Sequence, residues 1–396
     1  MFVNLAYLLD RPTGTTSYAL NLLPYLAPLS PTYFATPASG LADGLSAPLT
    51  KDVTSGADNC ANIISVPTNM TAAAGSAGHL RRLIWTQFQL PQLINAHKRH
   101  KTQSLLFTPI PEAPLSLFKF NPLKSQRLFR SVITFHDLIP LRFPQDSGAI
   151  KYYFRYYIPQ VLSQAKKVIC ISEATARDVV DFYGIPAHKL VAIPLAYDSN
   201  HFYPHSTPPS FPPELEPMLE RMPYFLTLGR QAPHKNIKAV VEALAQVPNC
   251  GLLIAGPTDP RYTPQLKKLA EAKGVQSRVK FLSYVSYSQL PALLSSALAL
   301  VFPSLWEGFG LPVLEAMACG TPVITSNLAS LPEVAGDAAY LIDPRSVPNL
   351  VEAMRAISTD GIARQHLREA GLQRVQEFSW ERTGKATAQV LQPFAE

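Results

Sequence analysis

The chain has 396 residues, 47% hydrophobic and 16% charged, a balance that excludes a disordered tail or a very polar fibrous protein. At about 100–200 residues per domain it divides most naturally into two. The formal charge of +7, from 35 basic and 28 acidic residues, favours anionic partners such as nucleotides, sugar phosphates or an acidic lipid surface. Cys60, Cys170, Cys250 and Cys319 lie far apart with no C-x-x-C pair, which suggests neither a zinc site nor a disulfide framework and fits a reducing compartment.

The opening MFVNLAYLLDRPTG reads as a first strand. It has no basic start, and Asp10 and Arg11 arrive too early for a signal peptide. No apolar run approaches the ~20 residues needed to span a bilayer, so the expectation is a cytoplasmic chain whose membrane contact, if any, is peripheral. Residues 36–76, rich in Ala, Ser, Gly and Thr, read as a mobile loop region. Within it, Asn69-Met70-Thr71 is a chance match to a glycosylation acceptor.

Residues 80–101 combine Leu83, Ile84, Trp85, Phe88, Leu93 and Ile94 with Arg81, Arg82, Lys98, Arg99 and Lys101, and Pro91 interrupts the pattern. Two readings stand: a surface that rests on anionic lipid, or a cover helix whose apolar stripe faces a sheet. The tyrosine-rich stretch 151–167 either lines an acceptor cleft or simply packs.

Short apolar runs then alternate with helical patterns: VITFHD, KKVICIS, KLVAIPL, YFLTLG, CGLLIAG, VKFLSYV, LALVFPS and TPVITS. This is the rhythm of βαβ units around parallel sheets covered on both faces. Ile237, Val240, Val241 and Leu244 fall at i, i+3, i+4 and i+7, the apolar stripe of one helix. A proline-crowded segment, residues 203–223, marks entry to the second domain. The expected division is 1–197, 198–378, and a closing helix over 379–396 that returns to the first domain. No short-period tandem repeat appears.

The segment SLWEGFGLPVLEAMACGTPVITS carries Glu307 and Glu315 seven residues apart, around Gly308, Gly310 and Pro312. Proline suits the first turn of a helix and Gly320 its stop, so a helix is predicted from about Leu311 to Cys319. Its free N–H groups and positive dipole, approached without side chains at Gly308 and Gly310, form a site for a diphosphate. Glu307 would then meet a sugar and Glu315 a ribose; taken singly, Glu315 reads instead as a partner of the helix dipole and Glu307 as a solvated loop acid. Arg230 and Lys235 follow the strand YFLTLG, where a guanidinium fork and an ammonium can hold a diphosphate as its charge grows. His136, after VITF, reads by itself as a hydrogen-bonded structural histidine that Asp137 could orient, and Ser172 as a helix N-cap.

With the E-x7-E string and the R-x4-K pair in place, the sequence resembles the family-four retaining glycosyltransferases. The likeness also covers RPTGTTSY, FHDLIPLRFP, ISEATARDV, ITSNLASLPEVAGDAAYLIDP and FSWERTGKATAQVL. It implies a GT-B fold, α/β, with two Rossmann-like doubly wound parallel-sheet domains facing each other across a cleft. It further implies transfer of a hexosyl group from a nucleotide-diphosphate sugar of the GDP-mannose or UDP-glucose type to a saccharide or lipid-linked acceptor, with retention. The wording of HDLIPLRFP and SNLASLPEVAGDAA leans to the polysaccharide mannosyltransferase branch.

By position, the resemblance assigns Arg230 and Lys235 to the donor diphosphate, Glu307 to the transferred sugar and Glu315 to ribose. Amides of Phe309, Gly310 and Leu311 assist, with Gly308 in the same donor-binding loop, Gly14 in the first-domain glycine loop, and His136 near sugar and acceptor. No metal, no cofactor beyond the sugar nucleotide and no nucleic-acid partner are implied, in keeping with the lack of a D-x-D sequence. The loop 12–16 lacks the second glycine of relatives, and Leu195-Ala196-Tyr197-Asp198 stands where relatives often read N-G-V-D. Two other functions share the fold: a sugar-nucleotide epimerase, which needs no acceptor, and a non-catalytic sugar-nucleotide binding protein.

Overall fold

The computed structural model describes residues 1–8, 14–36, 62–97, 104–115, 129–206, 222–283 and 285–395. The chain forms two compact units. One comprises Met1–Leu141, Ala149–Leu195 and Trp380–Glu396, the other Arg142–Gly148 and Ala196–Ser379.

In the first unit seven strands lie in the order β3-β2-β1-β4-β5-β6-β7, all parallel. They are β1 (Phe2–Leu5), β2 (Thr32–Ala35), β3 (Asn62–Ser65), β4 (Ser104–Thr108), β5 (Phe129–Phe135), β6 (Lys167–Cys170) and β7 (Leu190–Ala192). The chain steps outward from β1 to β3 and returns beside β1 as β4, so the topological switch lies between β1 and β4. Both faces are covered. Phe2, Phe34, Trp85, Leu90 and Ile94 pack on one side, and Ile133, Phe135, Leu162, Val168 and Val179 form a second cluster. The helices that supply this cover include α1 (Gly14–Leu26), α2 (Gly75–His97) and α3 (Glu173–Tyr183).

Ser172 caps α3 by accepting from the Thr175 N–H, as its position predicts. Two expectations need correction. Helix α2 continues through Pro91, which is buried inside it; burial of Trp85, Leu90 and Ile94 around the proline outweighs the one lost helical bond. The loop region expected over 36–76 includes strand β3, whose ladder to β2 overrides its weak local pattern; residues 37–61, with Cys60, lie outside the described residues.

The second unit repeats the plan with six parallel strands in the order β10-β9-β8-β11-β12-β13. These are β8 (Tyr224–Leu228), β9 (Gly251–Ala255), β10 (Val279–Leu282), β11 (Ala299–Phe302), β12 (Val323–Ser326) and β13 (Tyr340–Ile342). Every residue of β8, β9, β11 and β12 is buried, which explains their two-sided apolarity. Helix α4 (Ile237–Leu244) buries Ile237, Val240, Val241 and Leu244, the stripe read from the sequence, against a core that includes Phe225, Leu252 and Val301. It is followed by α5 (Thr263–Ala272), α6 (Leu311–Ala318) and α7 (Val347–Thr359). Here the switch lies between β8 and β11. Of the proline-rich entry segment, residues 207–221 lie outside the described residues.

The last helix, α8 (Trp380–Ala395), belongs to the first unit and crosses α1 closely. A Cβ on Gly384 would stand 2.1 Å from the Tyr25 ring, so only glycine permits the approach.

Candidate functional site

In the second unit the site grows from the carboxyl ends of β8 and β11, the two strands that flank the switch. After β8 the chain turns at Gly229 (φ +118°), and after β9 at Gly256 (φ +143°). A Cβ on Gly256 would sit 2.2 Å from the Gly229 carbonyl oxygen, so two bare glycines let neighbouring strand ends approach. The chain then enters the short turn Pro233–Lys235. From beyond β11 comes the loop that carries Glu307. The Leu305 N–H donates to the His234 carbonyl at 2.7 Å and joins the two loops.

Across this joint Lys235 Nζ donates to Glu307 Oε1 at 2.6 Å. Both groups are largely buried, with 17% and 10% of their side-chain surface exposed. The ammonium also lies 4.8 Å from the centre of the Phe302 ring, an additional favourable contact for a cation.

Gly310 precedes α6 with φ +116° and offers no side-chain cap; Pro312 has no N–H and the Val313 N–H donates to the Gly310 carbonyl at 2.9 Å, which leaves the Leu311 N–H at the helix start for an anion. Helix α6 ends at Ala318, one residue short of expectation, and Gly320 takes the left-handed turn that follows (φ +69°). Pro312 occupies the first turn, where a missing N–H costs nothing. Ser330, which sequence reasoning did not single out, lies beneath this loop. Its hydroxyl donates to the carbonyls of Phe309 (2.7 Å) and Glu307 (2.9 Å), sharing one hydrogen between them. Phe309 is buried, Gly308 follows Glu307 in the same loop, and Leu311 opens the helix.

Glu315 sits one turn into α6 and is partly exposed. Burial among the surrounding protein pushes its carboxyl up to about 7. At neutral pH it is therefore divided between a donor and an acceptor form.

Arg230 reaches outward, 64% exposed, and pairs with the buried Asp259 at 3.2 Å. Asp259 also accepts three bonds from Arg261, two from its side chain at 2.9 and 3.0 Å and one from its backbone N–H at 3.0 Å, and this hydrogen bonding holds its carboxyl well below the usual range. Asp259 anchors Arg230 from a neighbouring strand end. The signal for it in GPTDPRY is a lone acid between prolines, too common to single out. Two buried polar atoms in the same loops, Gln231 Nε2 and Ser304 Oγ, have no hydrogen-bond partner. Such orphans mark a place where strain or a bound group is to be sought.

In the first unit Gly14 opens α1, and the preceding residues 9–13 lie outside the described ones. One turn later Tyr18 hydrogen-bonds Thr134 Oγ1 at 3.0 Å and places its ring edge-on to His136, with centroids 5.4 Å apart. The glycine-headed helix and the histidine thus meet at the carboxyl edge of one sheet.

His136 Nε2 lies 2.7 Å from the Pro109 carbonyl, which fixes that nitrogen as the N–H and leaves Nδ1 with its lone pair. Burial holds the ring's pKa below the usual imidazole range, with the Pro109 bond acting the other way, so the ring is neutral at pH 7. The orienting partner is a backbone carbonyl; Asp137 Oδ1 accepts from the Ile139 N–H instead. The loop that presents Pro109 is held by a buried bidentate pair, Arg82 with Glu112, at 2.7 Å for both bonds.

Among the described residues no three His, Cys, Asp or Glu side chains cluster as metal ligands. Nor is any helix among them long and apolar enough to cross a membrane.

The family model for glycosyl transferases group 1 matches residues 216–374, and that for Glycosyltransferase Family 4 matches residues 61–201. An O-antigen chain mannosyltransferase B of Escherichia coli is 32% identical over 264 residues, covering 64% of this chain and 68% of its own length. O-antigen chain mannosyltransferase RfbU of Salmonella typhimurium is 28% identical over 307 residues, 76% of this chain and 78% of its own. In fold, the chain is similar to the sucrose-phosphate synthase of Thermosynechococcus elongatus. The TM-score is 0.71 at 21% identity, over 99% of this chain and 98% of that one. Two parallel-sheet units of this kind constitute a GT-B fold, and the chain belongs to the family-four glycosyltransferases, on the branch of the mannosyltransferases.

Proposed function

We propose that the chain is a retaining hexosyltransferase that takes a mannosyl group from a nucleotide-diphosphate sugar and gives it to a saccharide or lipid-linked acceptor. It would work in the cytoplasm, in the building of an O-antigen or related polysaccharide. The observation that carries this reading is the Lys235–Glu307 pair at 2.6 Å, held at a switch point beside the uncapped start of α6. The mannosyl group and the pathway are supported by the named activities of the O-antigen mannosyltransferase relatives.

In this reading the two remaining N–H groups of Lys235, the Arg230 fork and the Leu311 N–H take the donor diphosphate. These fixed cations and dipoles stabilise charge as it develops on the leaving group, the role a metal plays elsewhere. Glu307, steadied by Lys235 and by Ser330 under its backbone, accepts from a sugar hydroxyl, and ionised Glu315 accepts from ribose. His136 offers the Nδ1 lone pair to a hydroxyl of the transferred sugar. The acceptor oxygen bonds to the anomeric carbon as the bond from that carbon to the β-phosphate oxygen breaks, on the same face. The acceptor's proton passes to an oxygen of the leaving phosphate.

The test is a screen of GDP-mannose, UDP-glucose and other common sugar nucleotides for binding and slow donor hydrolysis. It is repeated with Glu307→Ala and Lys235→Ala. Binding of one donor is expected, with hydrolysis reduced about 100-fold or more in each variant. Binding of none, or unchanged hydrolysis in both variants, rejects the reading. Reversible conversion of the sugar without acceptor assigns an epimerase instead.

A further inference from the structure

The chain leaves the first unit after Leu141 and returns to it at Ala149, and the seven residues Arg142–Gly148 belong to the second unit. This excursion begins at the end of a short helical turn, Ile139–Arg142. Two bonds to one carbonyl keep it compact: the Asp146 N–H and the Ser147 hydroxyl both donate to the Phe143 carbonyl, at 3.1 and 2.7 Å. Arg142, Phe143 and Asp146 are each partly buried.

Each of these three reaches a different loop of the candidate site. The Arg142 guanidinium lies over the Trp306 ring, 3.3 Å from its centre, and Trp306 adjoins Glu307. The Phe143 ring packs on His234 with centroids 5.6 Å apart, and His234 adjoins Lys235. Asp146 holds the third loop twice. Its carboxylate accepts from the Tyr262 hydroxyl at 2.5 Å, and its backbone carbonyl accepts from Arg261 Nη1 at 3.3 Å. Arg261 in turn binds Asp259, the partner of Arg230. One segment thus touches the immediate neighbours of Glu307 and Lys235 and the contacts that carry Arg230.

Packing alone does not account for this pattern, because a segment that only covered the loops would present apolar side chains to them. This one sets a guanidinium on an indole face, a ring on an imidazole and a carboxylate on a hydroxyl, three contacts that each require a particular orientation. The loops so held lie beyond the ends of β8, β9 and β11, where no ladder fixes the backbone and position depends on such cross-contacts.

We infer that Arg142–Gly148 is a clasp for the donor site, and that Arg142, Phe143 and Asp146 are positioning residues that keep Glu307, Lys235 and Arg230 in one mutual arrangement. None of the three is assigned a contact with the donor. What the arrangement binds rests on the donor reading above. A diphosphate sugar that meets two cations and a carboxylate at once is sensitive to their spacing, since a misplacement of about 1 Å can cost about 100-fold in rate. The site of the second unit is completed by a piece of sequence that is flanked on both sides by the first.

The test uses the full chain with Arg142→Ala, Asp146→Ala, Asp146→Asn and Tyr262→Phe. Amide hydrogen exchange without ligand reads the clasp directly. Asp146→Ala and Tyr262→Phe should each speed exchange in residues 256–262, and Arg142→Ala in residues 303–310, while the sheets keep their protection. Asp146→Asn should restore most of the protection lost in Asp146→Ala, because its amide oxygen still accepts from Tyr262. Calorimetry with the donor that the wild type binds should show a dissociation constant raised about three- to tenfold in Asp146→Ala, in Tyr262→Phe and in their double variant alike, the effect of one lost hydrogen bond. Binding stoichiometry separates this from loss of folded protein. Donor hydrolysis should fall about tenfold or more in Arg142→Ala. Unchanged exchange in the folded variants overturns the clasp, whatever the chain binds. Loosened loops with unchanged donor affinity and hydrolysis overturn its part in positioning. Loosened loops in a chain that binds no sugar nucleotide keep the clasp and reject the donor reading instead.

Discussion

Among the described residues each unit contains a buried pair of opposite charges near the carboxyl edge of its sheet, and the two pairs are built differently. In the first, Arg82 and Glu112 are joined by two parallel bonds at 2.7 Å, and most of the leftover valences are filled. Arg82 Nη1 donates to the Met70 carbonyl, Nη2 meets His79 Nδ1, and the Tyr153 hydroxyl adds a bond to Glu112. In the second, Lys235 and Glu307 share a single bond, which leaves two N–H groups and one carboxylate oxygen without a hydrogen bond. A nearly saturated buried pair fixes a loop, whereas one with spare donors and acceptors keeps capacity to bind a ligand.

The comparison is broken most severely by cutting the Arg82–Glu112 pair. Glu112→Ala strands a buried guanidinium and should cost about 3–5 kcal/mol of stability, read by urea unfolding. Glu307→Ala breaks a single bond and leaves an ammonium that still has the Phe302 ring 4.8 Å away, so a smaller loss of about 1–3 kcal/mol is expected, while donor hydrolysis falls about 100-fold or more. Equal stability losses in the two variants would remove the distinction.

Next comes the backbone under the open pair. Gly310→Ala places an L residue at φ +116° with its Cβ 2.7 Å from Leu331 Cδ2. A loss of about 1–3 kcal/mol is expected from the backbone strain. Donor affinity, measured by calorimetry, should fall with it, and a variant of unchanged affinity would show that the α6 start does not hold the donor.

The smallest effect sharpens the comparison by pH. The Glu315 carboxyl is raised to about 7 in the folded chain, against an unfolded value of 4.5. Between pH 4.5 and 7 the unfolded chain therefore ionises while the folded one keeps its proton. This carboxyl lowers stability progressively across that window and adds no further change above it. Glu315→Gln should flatten that segment of the stability–pH curve. If Gln leaves the curve unaltered, burial does not govern the carboxyl.

Much of the second unit was legible in advance because its determinants are local. Strands buried on both faces must be apolar throughout, and the α4 stripe must recur at helical spacing. Gly310 and Pro312 answer to backbone needs within their own turn. Residues that act through distant partners left no such trace. Ser330 supports the Glu307 loop from 23 positions away, Asp259 anchors Arg230 from another strand, and Pro109 fixes His136 through a carbonyl that every residue possesses. Segment Arg142–Gly148 belongs with the second unit although its neighbours in sequence belong to the first.

Periodicity, turn chemistry and charge spacing thus determined the two parallel-sheet units and the residues with the right chemistry. Tertiary structure alone decided which of them carry spare hydrogen-bonding capacity, and which segment of the first half serves the second unit. Both are set by what packs alongside from remote parts of the chain, and the spacing of residues along one segment contains no record of that.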